Sequence, residues 1–77
     1  MGTLLSRDQA VQIARRVADG EGWPWIEPVE AVAKRTFPLV GRRYWQVTTN
    51  SRFETRSVKV QIDAATGRVL RLFYHPY

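Results

Sequence analysis

The stretch from Ser57 to Tyr74 leaves the backbone few choices. Val58, Val60 and Ile62 alternate with Ser57, Lys59 and Gln61, the period of two that places apolar residues on one face of a strand. Asp63-Ala64-Ala65-Thr66-Gly67 interrupts the pattern. The aspartate can accept from the backbone just beyond it, and Gly67 suits the left-handed residue of a bulged turn. Arg68 to Tyr74 resumes as a strand, with Leu70, Leu72 and Tyr74 expected opposite Val69, Arg71 and Phe73. A hairpin with one apolar face is not stable alone; it needs more strands and something to cover that face.

The rest of the chain supplies both. Ser6-Arg7-Asp8-Gln9 fits a capping box, with Asp8 in the first turn, where the helix dipole favours it. Ala10, Ile13, Ala14 and Val17 recur at helical spacing, widened by Val11 and Ala18, and Gly20 and Gly22 supply the stop. A helix over 7–19 is expected. Tyr44 to Thr49 alternates as a strand, with Trp45, Val47 and Thr49 on one face and Tyr44, Gln46 and Thr48 on the other. Residues 28–37 fit a short helix started by Pro28 or a strand; the strand is preferred because the later strands need partners. Pro38 and Gly41-Arg42-Arg43 mark a loop, and Asn50-Ser51-Arg52 a turn.

The fold class that follows is α+β. One N-terminal helix packs on a three- to four-stranded antiparallel sheet, with Trp45, Val47, Val58, Val60 and Ile62 facing it and Tyr44, Gln46, Lys59 and Gln61 on the uncovered side. With 77 residues the chain is a single domain, 1–77, in which 1–5 are expected to form a disordered N-terminal segment. A chain of this size hides only about 60–65% of the surface its unfolded form exposes, so the core is thin. Trp23-Pro24-Trp25 then has two readings: rings folded back over that core, which is preferred, or an aromatic contact site formed by Trp23 and Trp25.

Several chemistries drop out. There is no cysteine and His75 is the only histidine, so no disulfide framework and no Cys- or multi-His metal site is expected. A Ser–His–Asp arrangement would have to be built on a C-terminus expected to be mobile. Asp8 reads as a helix start and Asp63 as a turn former, and nothing marks Glu27 and Glu30 as a catalytic pair. No catalytic residues, no metal and no cofactor are expected; the chain reads as a non-enzyme. No run of even ten apolar residues occurs, so no membrane-spanning helix is expected. With no export signal in this chain, a cytoplasmic location is expected, with an exported precursor as the alternative.

The charge carries the functional information. Residues 1–30 hold three basic against five acidic groups, a balance of −2; residues 31–77 hold nine against two, a balance of +7. Ten of the twelve basic residues are arginine, whose planar fork suits carboxylates and phosphates. Arg42, Arg43, Arg52, Arg56 and Arg71 are the candidate contact residues, expected to form one basic surface for a protein with an acidic surface. The alternative is a nucleic-acid-binding small basic protein, because Lys59 and the arginines interleave with Tyr44, Phe53, Phe73 and Tyr74. No recognisable RNA-recognition, cold-shock or helix-turn-helix motif accompanies them. The chain is expected to be a monomer or a weak homodimer.

The helix sequence QAVQIARRVA over 9–18, the Trp45-Gln46-Val47 strand and the run Ile62-Asp63-Ala64-Ala65-Thr66-Gly67-Arg68-Val69-Leu70 together resemble the PepSY domain family and its small cystatin-like relatives. That family pairs an alanine-rich helix with a W-x-V strand and a closing strand–hairpin–strand of the form hydrophobic-D-x-x-T-G-x-V. The resemblance covers most of residues 6–72. It implies a cystatin-like helix-plus-sheet fold and a binding or inhibitory module, either protease-regulating or of the kind bacterial immunity proteins use against toxins.

Overall fold

The computed structural model describes residues 4–35, 42–53 and 55–76. Helix α1 (Arg7–Glu21) is followed by strands β1 (Glu30–Arg35), β2 (Arg43–Thr48), β3 (Ser57–Asp63) and β4 (Val69–His75). The strands form one antiparallel sheet in the order β1-β2-β3-β4. The α+β arrangement of one helix and a four-stranded antiparallel sheet is therefore the fold.

The helix begins and ends for local reasons. The Ser6 hydroxyl accepts from Gln9 N–H at 3.2 Å, and the Gln9 side chain accepts from Ser6 N–H at 2.8 Å, which completes the capping box. Gly20 lies inside the helix rather than ending it. Gly22, at φ +73°, makes the left-handed turn, with Gly22 N–H on Asp19 O and Trp23 N–H on Ala18 O. Ala10, Ala14 and Ala18, each four apart, are completely buried, while Val11 and Ile13 pack at the side. Three alanines in line let the helix sit close on the sheet, against Val47, Val58, Val60 and Ile62.

The helix reaches β1, β2 and β3 but not β4. Trp23 covers what it leaves open: its ring stacks on Tyr74 of β4, with centroids 5.2 Å apart and planes 19° apart. Trp25 also packs against the core. The Trp23-Pro24-Trp25 segment thus closes the side of the core that a single short helix cannot reach.

Four sequence expectations change. Leu5 is not a frayed residue: its N–H donates to Ala64 O at 2.7 Å and its carbonyl accepts from Trp45 Nε1–H at 2.9 Å. Residues 1–3 lie outside the described residues. Val69, expected to point away from Leu72, instead pairs with Ile62 and packs on the core, because a register shift between Gln61 and Ile62 inserts an extra residue in β4. His75 is not on a loose end; it closes β4, opposite Ser57. Residues 28–37 do contain a strand, but it spans Glu30–Arg35; the expected Thr36-Phe37 extension and residues 38–41 of the expected loop lie outside the described residues, and Arg43, expected in that loop, is instead the first residue of β2.

The hairpin matches its chemistry. Asp63 Oδ1 accepts from Ala65 N–H at 2.8 Å and Thr66 N–H at 3.3 Å, and Gly67 sits at φ +78° with its N–H on Asp63 O.

Candidate protein-binding surface

Register decides where the basic residues go. Arg35, the last residue of β1, lies directly opposite Arg43, the first of β2. Directly opposed residues of an antiparallel pair have their Cβ atoms about 4.5–5.5 Å apart, and like charges there oppose folding. Arg42 adjoins them. It is 75% exposed, and its Nη1 reaches the buried Asp63 carboxylate at 3.5 Å. That carboxylate is anchored by the two turn amides, so it holds Arg42 at this end of the sheet. Arg42 and Arg43 share the wall of a hollow of about 340 Å³ with Leu4, Ala65 and Thr66. Leu4 is 46% exposed. The wall also includes Asp63, so the hollow sets apolar surface beside two arginines and one carboxylate.

The other candidate arginines are elsewhere. Arg52 and Arg56 belong to the β2–β3 connection, at the opposite end of the strands. Six strand residues separate the two ends by about 20 Å. Arg52 lines a hollow with Arg7, Asp8 and Glu27, where acids and bases balance. Arg56 is exposed and holds φ +50°. Arg71 is paired with Gln61 on the sheet face that the helix does not cover. The single basic surface expected from the sequence is therefore not formed: Arg42 and Arg43 cluster, while Arg52, Arg56 and Arg71 stand apart. Sequence counting missed Arg35, because its place opposite Arg43 appears only with the β1–β2 register.

The uncovered face has its own hollow, of about 420 Å³, lined by Glu30, Gln46, Thr48, Phe53, Lys59 and His75 among others. Gln61 Nε2 donates to Gln46 Oε1 across this face at 3.3 Å. Ser57 lies opposite His75 here, which resembles a nucleophile beside a base. Ser57 is 3% exposed, and its hydroxyl donates to Thr49 O at 3.0 Å rather than to His75. Among the described residues no three His, Asp or Glu side chains gather where they could hold a metal ion.

An alanine-lined helix, a Trp45-x-Val47 strand against it and an Asp63–Gly67 hairpin are now placed in one fold. Residues 4–72 match the sequence model of the family described as PepSY, the peptidase propeptide and YPEB domain. The chain is a PepSY domain. The match runs from the exposed Leu4 through the helix and into β4. No curated protein and no solved structure matches the chain. A PepSY domain is a propeptide or regulatory domain, generally non-catalytic, that interacts with proteins. No helix among the described residues is long and apolar enough to cross a membrane.

Proposed function

We propose that this PepSY domain is an inhibitory protein-binding module whose arginine end docks on an acidic surface of a peptidase. The observation that carries the reading is Arg35 directly opposite Arg43, with Arg42 beside them. Opposed like charges weaken the sheet that holds them, so the arrangement is better accounted for by an anionic surface it meets than by stability. Arginine desolvates more readily than lysine and forks onto carboxylates, which suits an interface. The exposed Leu4 beside them adds the apolar contact that charge pairs alone lack. The family's description as a peptidase propeptide supports the class of partner.

The test is a titration of the domain against a purified peptidase encoded beside it in the source genome, with residual activity as the readout. The reading expects stoichiometric loss of activity that weakens as salt rises. Parallel titrations use a toxin from the same gene neighbourhood and a fluorescent single-stranded oligonucleotide. Neutralised toxin with unaffected peptidase would move the domain to the immunity class. Oligonucleotide binding tighter than any protein binding, falling steeply with salt, would replace the proposal with the nucleic-acid reading.

A further inference from the structure

Strand β1 is an edge. It pairs with β2 and, among the described residues, with no other strand, so one row of its main-chain donors and acceptors faces outward. Such a row is a template for another strand. β1 is also the most exposed strand of the sheet: of its six residues only Ala31 is not exposed, and Val32 is 40% exposed. Proteins commonly blunt such an edge with charge, and β1 carries Glu30 and Lys34. Their spacing does something further.

Glu30-Ala31-Val32-Ala33-Lys34 is a charge-complementary palindrome about Val32. Laid antiparallel on the same segment of a second copy, with a two-fold axis through Val32, Glu30 meets the other copy's Lys34. Ala31 meets Ala33, and Val32 meets Val32. The faces agree as well. Glu30, Val32 and Lys34 lie opposite Thr48, Gln46 and Tyr44 on the uncovered side, while Ala31 and Ala33 lie opposite Val47 and Trp45 on the helix side. Directly opposed residues of an antiparallel pair share a face, so both ion pairs and the valine contact fall on one side. Shifting the pairing by two residues puts Val32 against Lys34 or against Glu30, and both ion pairs are lost.

We propose that the chain self-associates through β1 as a two-fold dimer with one continuous eight-stranded sheet. The helices leave room for this. Because α1 lies under β1 to β3, its axis is about one and a half strand spacings from the dyad, or about 7 Å. The two axes are then about 14 Å apart, beyond a helix diameter of about 10–12 Å. The other edge offers less. Self-pairing of β4 about Leu72 sets Arg71 against Phe73 with no ion pair, although both edges expose main-chain groups. The +5 charge of each copy opposes association, so the dimer is weak and dissociates on dilution. This inference is independent of the peptidase reading.

Charge exchange tests it by sedimentation equilibrium over a concentration series. The parent should approach dimer mass at high concentration. Glu30→Lys sets lysine against lysine, and Lys34→Glu sets glutamate against glutamate; each should weaken association by about tenfold or more. An equimolar mixture of the two single variants should form a heterodimer tighter than either variant alone. The double variant Glu30→Lys/Lys34→Glu should associate like the parent. Both positions of change are exposed, and circular dichroism checks that the fold is kept. A parent that stays monomeric throughout, single variants that associate as well as the parent, or a mixture that remains monomeric would each overturn the proposal.

Discussion

Replacing Thr49 by valine probes the junction that turns β2 into β3. Thr49 is fully buried, its N–H donates to Val58 O at 2.9 Å, and its Oγ1 accepts from Val58 N–H at 2.9 Å. A side-chain hydroxyl thus stands in for the ladder carbonyl just where the strands part. Valine keeps the shape and removes the acceptor. The buried Val58 N–H is left without a partner, which costs about 1–3 kcal/mol. A chain of this length has a total stability of about 4–12 kcal/mol, and Tm should fall by about 4–24 °C. Thr49→Ser is the control, since it keeps the acceptor and loses one methyl group, worth about 0.8 kcal/mol. Urea and thermal melts followed by circular dichroism give the magnitude, and amide exchange gives the cause. The Val58 amide should lose protection in Thr49→Val and keep it in Thr49→Ser. A valine variant that melts with the parent and still protects Val58 would refute the assignment of that bond.

Gly67→Val should cost about 1–2 kcal/mol in a urea melt. The added Cβ meets Ile13 Cδ1 at 3.5 Å and Leu5 Cδ1 at 3.7 Å, ordinary contacts, so the penalty comes from φ +78°. Arg56→Gly should stabilise by about 0.5–1 kcal/mol in the same assay, because glycine relieves the left-handed backbone that arginine strains. Asp63→Ala removes the acceptor of Ala65 N–H and Thr66 N–H and the carboxylate that Arg42 reaches; a loss of about 1–3 kcal/mol by thermal melting is expected.

Most of the fold is legible where a single residue type has a single job. Ser6 and Gln9 cap the helix they were expected to cap, and Asp63 and Gly67 build the turn. Alternation assigned Val58, Val60 and Ile62 to the core correctly, since β3 pairs on both sides. It misassigned Val69 because a bulge belongs to the pair of strands and is not written in either strand's own period. Covering the core is the preferred reading of Trp23 and Trp25, and the stacking of Trp23 on Tyr74 supports it; the role follows from how far one helix can reach across four strands. The candidate site was less legible. Composition shows that arginines abound after residue 30, but only register separates Arg43 from Arg52 by the length of the sheet and sets Arg35 against Arg43. Leu5 looks like a loose end in sequence because its two bonds run to Ala64 and Trp45, far along the chain.

On the proposed reading the arginine end of the sheet, and not the chain's overall charge, meets the partner. Association kinetics of Arg43→Glu and Arg52→Glu with the inhibited peptidase compare the two ends directly, because both variants change the net charge equally. Arg43→Glu should slow association at least tenfold at low salt, while Arg52→Glu, at the balanced end beside Asp8 and Glu27, should change it little. Equal slowing by both variants would mean that only net charge matters, and a larger effect from Arg52→Glu would place the contact at the opposite end of the sheet.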